Sequence, residues 1–208
     1  MEEIGWFILI LLSSYFCGSF SIGFLIAEKK GIDIQKVGSK ATGATNVSRA
    51  LGFKWGFLTF VLDIIKGGLP VFFATLVLDA NWMIFCAAIL TILGHIFPYQ
   101  LSFKGGKGVS CLIGILLVLN LKVTLFWGLT WFLIFLILLF VIRASKASFS
   151  EKMAANNLLT IWYLPVFFWF GFHSLDWVLF SVILIGIIYF AHRENIKRII
   201  KTRVRRIS

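Results

Sequence analysis

Charged side chains are scarce in this sequence. Asp, Glu, Lys and Arg make up 14% of the 208 residues, whereas hydrophobic residues make up 60%. Soluble domains have about 25% charged residues and about half apolar ones, so the composition excludes an ordinary soluble domain. With no long linker, low-complexity segment or clear internal repeat, the chain is predicted to form one integral membrane domain over residues 1–208.

The sequence has few cysteines and none of the common catalytic motifs. Cys17, Cys86 and Cys111 are scattered through apolar runs, a spacing that indicates neither a metal cluster nor a disulfide framework. The patterns Gly-x-Ser-x-Gly, His-Glu-x-x-His and His-x-x-x-x-Asp are all missing. We therefore expect no metal and no cofactor, and the sequence supports neither metal-dependent hydrolysis nor a serine acyl-enzyme.

Long apolar runs predict an all-α polytopic membrane protein with about seven transmembrane helices, because one span needs about 20 apolar residues. The N-terminus has no positive n-region, so the first run is expected to be a retained span and not a signal peptide. The fourth run is short, and merging or omitting it would change the topology. The runs cover residues 4–27, 55–78, 82–101, 108–121, 123–142, 154–172 and 175–191.

Basic residues collect on one side of this arrangement. The chain has 20 Lys and Arg residues and 9 Asp and Glu residues. All of the Lys and Arg residues except Lys66 and Lys122 fall in four segments that share a side. The positive-inside rule then places the N-terminus outside and the C-terminus in the cytoplasm. In a membrane chain, the net charge of +11 favours anionic lipids and phosphorylated substrates over nucleic acid. The segments are 28–54, 102–107, 143–153 and 192–208. The last is predicted to be a basic amphipathic helix on the membrane surface, with a simple electrostatic anchor as the favoured interpretation of its final eight residues.

The first polar stretch runs from Gly38 to Arg49 and is rich in small and hydroxyl residues. Small residues keep the chain slim, and the planar guanidinium of Arg49 suits a phosphate because it donates two parallel hydrogen bonds. The stretch is therefore a candidate phosphate site. The alternative is a flexible polar loop that only carries positive-inside charge.

The second polar stretch joins Gly94-His95-Ile96-Phe97-Pro98 to Phe103-Lys104-Gly105-Gly106-Lys107-Gly108. Its glycines are expected to present bare backbone N–H groups beside an ammonium, a combination that suits a phosphate. It is not a Walker A loop, because Leu101 and Gly108 stand where that motif needs Gly and Ser or Thr. The loop opens the fourth run, where the helix dipole favours an anion. A plain glycine turn is the alternative, and His95 is either catalytic or simply packed.

Two further basic groups follow the later runs. Arg143 and Ser145 fit a turn whose basic side chains snorkel to the interface. A helix would place His192, Asn195 and Arg198 on one face. An imidazole, an amide and a guanidinium on one stripe suit a polyol phosphate, and an ordinary amphipathic helix is the alternative.

Asp63 and Lys66 lie inside the second run, three residues apart. Either charge alone is costly in lipid, so both are predicted to face the bundle and pair with each other or a neighbour. A structural pair is the preferred interpretation, and support of a functional site is the alternative.

Taken in order, these stretches resemble the bacterial acyl-phosphate-dependent glycerol-3-phosphate acyltransferases, the PlsY family. The resemblance covers nearly the whole chain. Family members look like Gly-Ser-Gly-Asn-x-Gly-Ala-Thr-Asn-x-x-Arg, Asp-x-x-Lys-Gly, Gly-His-x-x-Pro, Phe-Lys-Gly-Gly-Lys-Gly-Val-Ala-Thr, Arg-x-Ser and His-x-x-Asn-Ile-x-Arg. The matching residues are Gly38-Ser39, Gly43 to Asn46, Arg49, Asp63, Lys66-Gly67, Gly94-His95, Pro98, Phe103 to Val109, Arg143, Ser145, His192, Asn195-Ile196 and Arg198.

The resemblance implies transfer of a fatty acyl group from acyl phosphate to the 1-hydroxyl of glycerol 3-phosphate, giving 1-acylglycerol 3-phosphate (lysophosphatidate) and phosphate for phospholipid synthesis. It implies a multi-pass protein of the bacterial inner membrane with a cytoplasmic active site. Its partners would be glycerol 3-phosphate, acyl phosphate and membrane lipids. By the resemblance, Lys107, His192 and Asn195 are expected to be catalytic. Substrate binding is expected of Ser39, Thr45, Asn46, Arg49, Lys104, Gly105, Gly106, Gly108, Arg143, Ser145 and Arg198.

The chain departs from the family pattern at five positions in two motifs. Lys40 adds a charge near the predicted site, and Ala41 lacks the polar, turn-forming side chain of asparagine. The substituted residues are Lys40, Ala41 and Thr42, where the family has Gly, Asn and a small residue or Pro, and Ser110 and Cys111, where it has Ala and Thr.

Two other functions stay open at this point. A transporter of organic phosphates would show internal repeats and polar residues deep in several spans. Here the sequence places mainly Asp63 and Lys66 at depth. A non-catalytic lipid-binding relative is the other alternative, because the first motif is altered.

Overall fold

The computed structural model of the chain describes residues 2–141 and 149–204. These residues form α-helices, short 3₁₀ turns and loops, and no strand, so the all-α prediction is confirmed. Arg143 and Ser145 lie outside the described residues. The chain divides into two compact units, Met1–Leu121 and Lys122–Ser208, and the predicted single domain stays a prediction.

The first unit breaks its first predicted run into two helices. α1 ends at Ser19 and α2 begins at Ile22, so the helix is interrupted at Phe20 and Ser21 within the apolar segment. The helices of this unit are α1 Glu2–Ser19, α2 Ile22–Lys29, α3 Ala44–Leu51, α4 Phe53–Val77, α5 Asn81–Ile96 and α6 Val109–Leu119, with a 3₁₀ turn at Tyr99–Leu101.

The second unit also interrupts one predicted run. The run at 154–172 becomes α8, a 3₁₀ turn and α9, and a proline stands in the first turn of α9, where a missing N–H costs little. The helices are α7 Leu121–Val141, α8 Phe149–Thr160, the turn Ile161–Tyr163, α9 Leu164–Phe172, α10 Leu175–Ala191 and α11 Arg193–Val204. The basic C-terminal segment is therefore helical over Arg193–Val204.

Over the described residues, each predicted apolar run falls mainly on helical structure. Among the described residues, 5 helical segments are long and apolar enough to cross a membrane, namely Glu3–Lys29, Phe53–Val77, Asn81–Leu101, Leu121–Phe140 and Glu151–Phe172. The fourth and seventh runs correspond to the shorter apolar helices Val109–Leu119 and Leu175–Ala191. The chain is an integral membrane protein. The count of seven spans and the orientation of the termini stay predictions.

Small residues allow close helix packing in the first unit. A Cβ at Gly114 of α6 would overlap the carbonyl oxygen of Ile64 in α4, and a Cβ at Gly94 of α5 would overlap that of Tyr15 in α1. Such close approach is typical of helix pairs in membranes, where packing replaces the hydrophobic effect. The packing of α4 on α6 and of α1 on α5 positions the two polar loops of this unit.

Polar side chains also lie at depth in the second unit. Asn156 and Thr160 of α8 have no exposed surface. The Asn156 amide donates to the Trp131 carbonyl at 3.1 Å, and the Trp127 indole N–H donates to the Thr160 carbonyl at 3.1 Å. The sequence had suggested that Asp63 and Lys66 are the main polar residues at depth. The structure corrects this, because buried polar residues of the second unit also form hydrogen bonds that tie α7 to α8.

Candidate active site

Asn46 organises the first polar stretch. Its side chain is 2% exposed and points from α3 into the loop before it. Its Oδ1 accepts hydrogen bonds from the backbone N–H of Ser39 at 3.0 Å and from the Arg49 guanidinium at 2.8 Å. Its Nδ2 donates to the carbonyl oxygens of Ile34, Val37 and Ala41 at 3.3, 3.0 and 2.9 Å. The structure thus gives Asn46 the role of positioning Ser39 and Arg49, and a direct substrate contact stays a prediction.

Gly38 makes room for this arrangement. Its φ is +57°, and a Cβ there would lie 2.5 Å from both Arg49 Nη1 and Asn46 Oδ1. A larger residue would be strained in its backbone and would displace the guanidinium. The glycine therefore lets the backbone beside Ser39 approach Arg49 closely.

Lys40 has a backbone conformation that favours glycine. Its φ is +61°, its side chain is exposed, and its N–H donates to the Val37 carbonyl at 2.9 Å. A left-handed residue with a Cβ costs about 1–2 kcal/mol. The family that this chain resembles has glycine at this position, and the left-handed backbone conformation gives the physical reason.

We expect Lys40→Gly to stabilise the protein. Relief of the left-handed strain, less the extra entropy of an unfolded glycine, gives roughly 0.5–1 kcal/mol. The measurement is the apparent unfolding temperature in detergent. Lys36→Gly is the matched control, because Lys36 lies in the same loop without a positive φ. The interpretation is wrong if both variants lower the unfolding temperature equally.

The second polar loop is folded back on α5. The N–H of Gly105 donates to the Ile96 carbonyl at 3.0 Å, and the N–H of Gly106 donates to the His95 carbonyl at 3.0 Å. The expectation that the glycines present bare N–H groups is therefore wrong for these two residues, whose amides are satisfied inside the fold. Their glycines are needed because a Cβ at either position would overlap residues 95 and 98 or the His95 ring. Substrate binding by Gly105 and Gly106 stays a prediction.

The start of α6 follows this loop directly. Gly108 precedes the helix with a φ of +84°, and its carbonyl accepts the N–H of Leu112 at 2.8 Å. The first N–H groups of a helix have no partner within it, and the helix dipole adds partial positive charge there. Lys107 is half-buried beside this end, and Lys104 is exposed. This helix end is thus suited to an anion, and anion binding there stays a prediction.

The two polar loops of the first unit are joined to each other. The N–H of Thr42 donates to the Gly105 carbonyl at 3.3 Å, and the Gln35 side chain donates to the Lys104 carbonyl at 2.8 Å. The structure therefore brings the Ser39–Asn46–Arg49 group together with the loop that carries Lys104 to Gly108. Thr45 is exposed on α3 and takes no part in these hydrogen bonds.

Positive charge dominates these loops. Residues 30–49 contain one carboxylate, Asp33, and residues 97–109 contain none. Asp33 is paired with Lys36 at 2.9 Å, and this hydrogen bond lowers the pKa of the Asp33 carboxyl below its ordinary value. Among the described residues, the exposed Lys40 and Lys104 have no carboxylate within ion-pair distance. The joined loops are therefore electrostatically suited to a dianion.

A buried ionic cluster lies below the second loop. Lys66 Nζ is 3.1 Å from Asp63 Oδ1, so the predicted pair is confirmed. Asp63 Oδ1 is also 3.8 Å from His95 Nδ1. His95 is 6% exposed with its ring against Gly106, so it is a packed histidine beneath the loop.

The second unit carries the remaining candidates. His192 is 1% exposed, and its Nδ1 lies 2.9 Å from the Ile188 carbonyl. Because a carbonyl only accepts, Nδ1 carries the hydrogen of this bond and Nε2 is the basic nitrogen of the neutral ring. Asn195 is half-buried and Arg198 is exposed on α11, which follows His192 directly. Near them, the hydrogen bond from Lys197 lowers the pKa of Glu194.

Two supporting residues were not foreseen from the sequence. The Tyr15 hydroxyl donates to the Phe97 carbonyl at 2.9 Å, and Gln35 holds the Lys104 carbonyl. Tyr15 lies in an apolar run where no local pattern separates it from other aromatic residues. Gln35 lies in the polar segment 28–54, and its polarity was the one available signal.

Known proteins share the sequence pattern over nearly the whole chain. The pattern of the family described as glycerol-3-phosphate acyltransferase matches residues 8–202. A protein of that name from Aquifex aeolicus is 38% identical over 199 residues, which cover 95% of this chain and 97% of the relative. One from Thermotoga petrophila is 34% identical over 206 residues, covering 99% of this chain and 98% of the relative.

Solved structures share the fold. A crystal structure of PlsY, an integral membrane glycerol 3-phosphate acyltransferase, in its glycerol 3-phosphate form has a TM-score of 0.81 at 30% identity. It covers 95% of this chain and 93% of that chain. The lysophosphatidic acid form has a TM-score of 0.80 at 31% identity, with the same coverage.

Proposed function

Because this chain belongs to the glycerol-3-phosphate acyltransferase family, we propose that it transfers a fatty acyl group to the 1-hydroxyl of glycerol 3-phosphate, with acyl phosphate as donor. The products are lysophosphatidate and phosphate, in the bacterial inner membrane with the site facing the cytoplasm. The observation that carries the proposal is the junction of two cationic loops through Thr42 and Gly105. It supports a site for phosphorylated molecules beside apolar helices.

The basic residues are proposed to hold the two substrate phosphates. Each substrate carries about two negative charges near neutral pH, so their mutual repulsion must be offset. Arg49 is already oriented by Asn46, and Lys107 stands beside the start of α6. Phosphate binding by these groups leaves the acyl chain to lie against apolar helices. This division explains why the reaction needs a membrane protein.

The chemistry needs no enzyme nucleophile. The glycerol hydroxyl oxygen attacks the acyl carbonyl carbon, and the bond between that carbon and the phosphate oxygen breaks. Phosphate leaves with the bonding electrons, and a substrate phosphate oxygen accepts the hydroxyl proton. Positioning and charge stabilisation supply most of the rate.

His192 is the rival proton acceptor. Its Nδ1–H is engaged by the Ile188 carbonyl, which leaves Nε2 as the basic atom. A base must lie within hydrogen-bond reach of the proton that it removes. A pH profile of kcat that loses its acidic limb in His192→Gln would favour the histidine over the substrate phosphate.

One assay separates the proposed enzyme from the alternatives. Purified protein in detergent is supplied with acyl phosphate and glycerol 3-phosphate, and lysophosphatidate and free phosphate are measured. Product formation without a sealed membrane excludes pure transport. Binding of both compounds without product would identify a non-catalytic relative, and an equal rate with a thioester donor would contradict the donor assignment.

We expect Asn195→Ala to weaken glycerol 3-phosphate binding selectively. Loss of one hydrogen bond to a bound substrate raises its KM by about 10-fold, whereas the KM for acyl phosphate changes little. Asn81→Ala is the control, because Asn81 is an exposed asparagine at the start of α5. Equal effects on both KM values would contradict the role proposed for Asn195.

A further inference from the structure

The second loop is seated on His95. The ring of His95 occupies the space that a Cβ at Gly106 would need, and Gly106 is buried. The N–H of Gly106 returns to the His95 carbonyl at 3.0 Å. Gly106 therefore contacts both the backbone and the ring of this one residue. A change in the ring must move the loop or leave a gap beneath it.

The Asp63–Lys66 pair lies near the other nitrogen of the ring, Nδ1, whereas Gly106 lies against Nε2. Asp63 Oδ1 lies 3.8 Å from His95 Nδ1 and 3.1 Å from Lys66 Nζ. Lys66 Nζ also donates to the Phe20 carbonyl at 2.7 Å, just past the end of α1. A continuous chain of contacts thus runs from the end of α1 through the cluster to Gly106.

The burial of Asp63, Lys66 and His95 is not explained by a contribution to the stability of the fold. The exposed fractions of Asp63, Lys66 and His95 are 1%, 7% and 6%. Buried charge pairs are weak contributors to stability, because desolvation offsets their attraction. Asp63 Oδ2 and His95 Nδ1 are moreover buried without a hydrogen-bond partner among the described residues. Ionisable residues at such depth are by default functional.

We propose that His95 is a positioning residue for the acyl transfer. Its buried ring, packed between Asp63 and the second loop, sets the place of Gly106 and thereby of the neighbouring Lys107 and the start of α6. His95 acts through the loop and does not touch substrate. The inference rests on the proposed function, since it assigns a supporting residue to the same site.

Paired substitutions test this mechanism. His95→Ala is expected to lower kcat/KM about 30-fold, and His95→Gln to keep it within about 3-fold of the wild type, because the glutamine amide fills much of the ring's space. Gly106→Ala is expected to lower kcat/KM by about 100-fold alone but by less than about 2-fold in the His95→Ala background, because removal of the ring makes room for the methyl group.

Gly105 provides the matched control. A Cβ at Gly105 would meet the backbone carbonyl of His95 and the ring of Pro98, which His95→Ala leaves in place. Gly105→Ala is therefore expected to be equally damaging with and without His95. The proposal is overturned if Gly106→Ala is as damaging without the ring as with it. Should His95→Ala fail to fold, His95→Ser serves as the small variant in the same cycle.

Amide hydrogen exchange tests the role of His95 independently of the proposed transferase activity. His95→Ala is expected to speed exchange of the Gly105 and Gly106 amides by about 10-fold or more, and His173→Ala, an exposed histidine after α9, is expected to leave it unchanged. Unaltered exchange in His95→Ala would overturn the inference whatever the activity. A wild-type protein without transferase activity would contradict the proposed function instead, and the exchange result would still decide the role of His95.

Discussion

Replacing Lys107 by alanine is expected to lower turnover by about 10²–10³-fold while the protein stays folded. The physical reason is that a preorganised cation beside developing charge contributes most in a site shielded from water. Lys107 is half-buried and comes directly before the left-handed Gly108 that precedes α6, so it lies at the positive end of that helix. The measurement is kcat of the purified variant in detergent, with both substrates saturating.

Two variants complete the Lys107 experiment. Lys122→Ala removes an exposed lysine at the start of α7 and is expected to leave kcat within about 2-fold of the wild type. Lys107→Arg keeps the charge but changes its geometry, and an intermediate kcat is expected. Near-normal turnover of Lys107→Ala would show that the loop does not hold a reacting phosphate.

Asn46→Ala is expected to have the second large effect, a loss of about 10²-fold in kcat/KM together with about 2–4 kcal/mol of stability. The substitution removes the amide that binds three loop carbonyls and holds both Ser39 and Arg49. The loop backbone would then lose its partners at a buried position. Kinetics and the apparent unfolding temperature in detergent measure the two effects.

Asn81→Ala and Asn46→Asp are the comparisons for this prediction. Asn81 is an exposed asparagine at the start of α5 and lies outside both polar loops, so a small effect is expected. Asn46→Asp keeps an acceptor for Arg49 but cannot donate to carbonyls, so it is expected to fail to restore activity. Full activity in Asn46→Asp would mean that the three carbonyl contacts are unimportant.

The helical segments were readable from the sequence because their signal is local. The apolar runs predicted where the long helices lie, and the cost of a lone charge in lipid predicted the Asp63–Lys66 pair, which the structure confirms. The interruption of the helix at Phe20 could not be predicted from the sequence. The Phe20 carbonyl accepts a hydrogen bond from Lys66, which lies on a distant helix. A contact of this kind leaves no trace in a window of neighbouring residues.

The candidate site was predicted by residue type and corrected in its connections. The polar stretches indicated Arg49 and Lys107 as candidate residues. Their composition did not show that Asn46 would bind several loop groups at once or that Thr42 would join the two loops. The glycines at 105 and 106 were expected to offer free amides, whereas they permit close packing on His95. Glycine serves both purposes in loops, and only the three-dimensional contacts separate them.

The most direct measurement of the proposed reaction follows the oxygen that bridges the acyl and phosphoryl groups of the donor. Purified protein is mixed with glycerol 3-phosphate and with acyl phosphate labelled with oxygen-18 at that bridge. The oxygen-18 content of each product is then measured by mass spectrometry. Acyl transfer predicts lysophosphatidate and labelled phosphate in equal amounts, because the bond from the carbonyl carbon breaks. Label retained in free fatty acid, with a second phosphate on glycerol or no lysophosphatidate at all, would contradict the account.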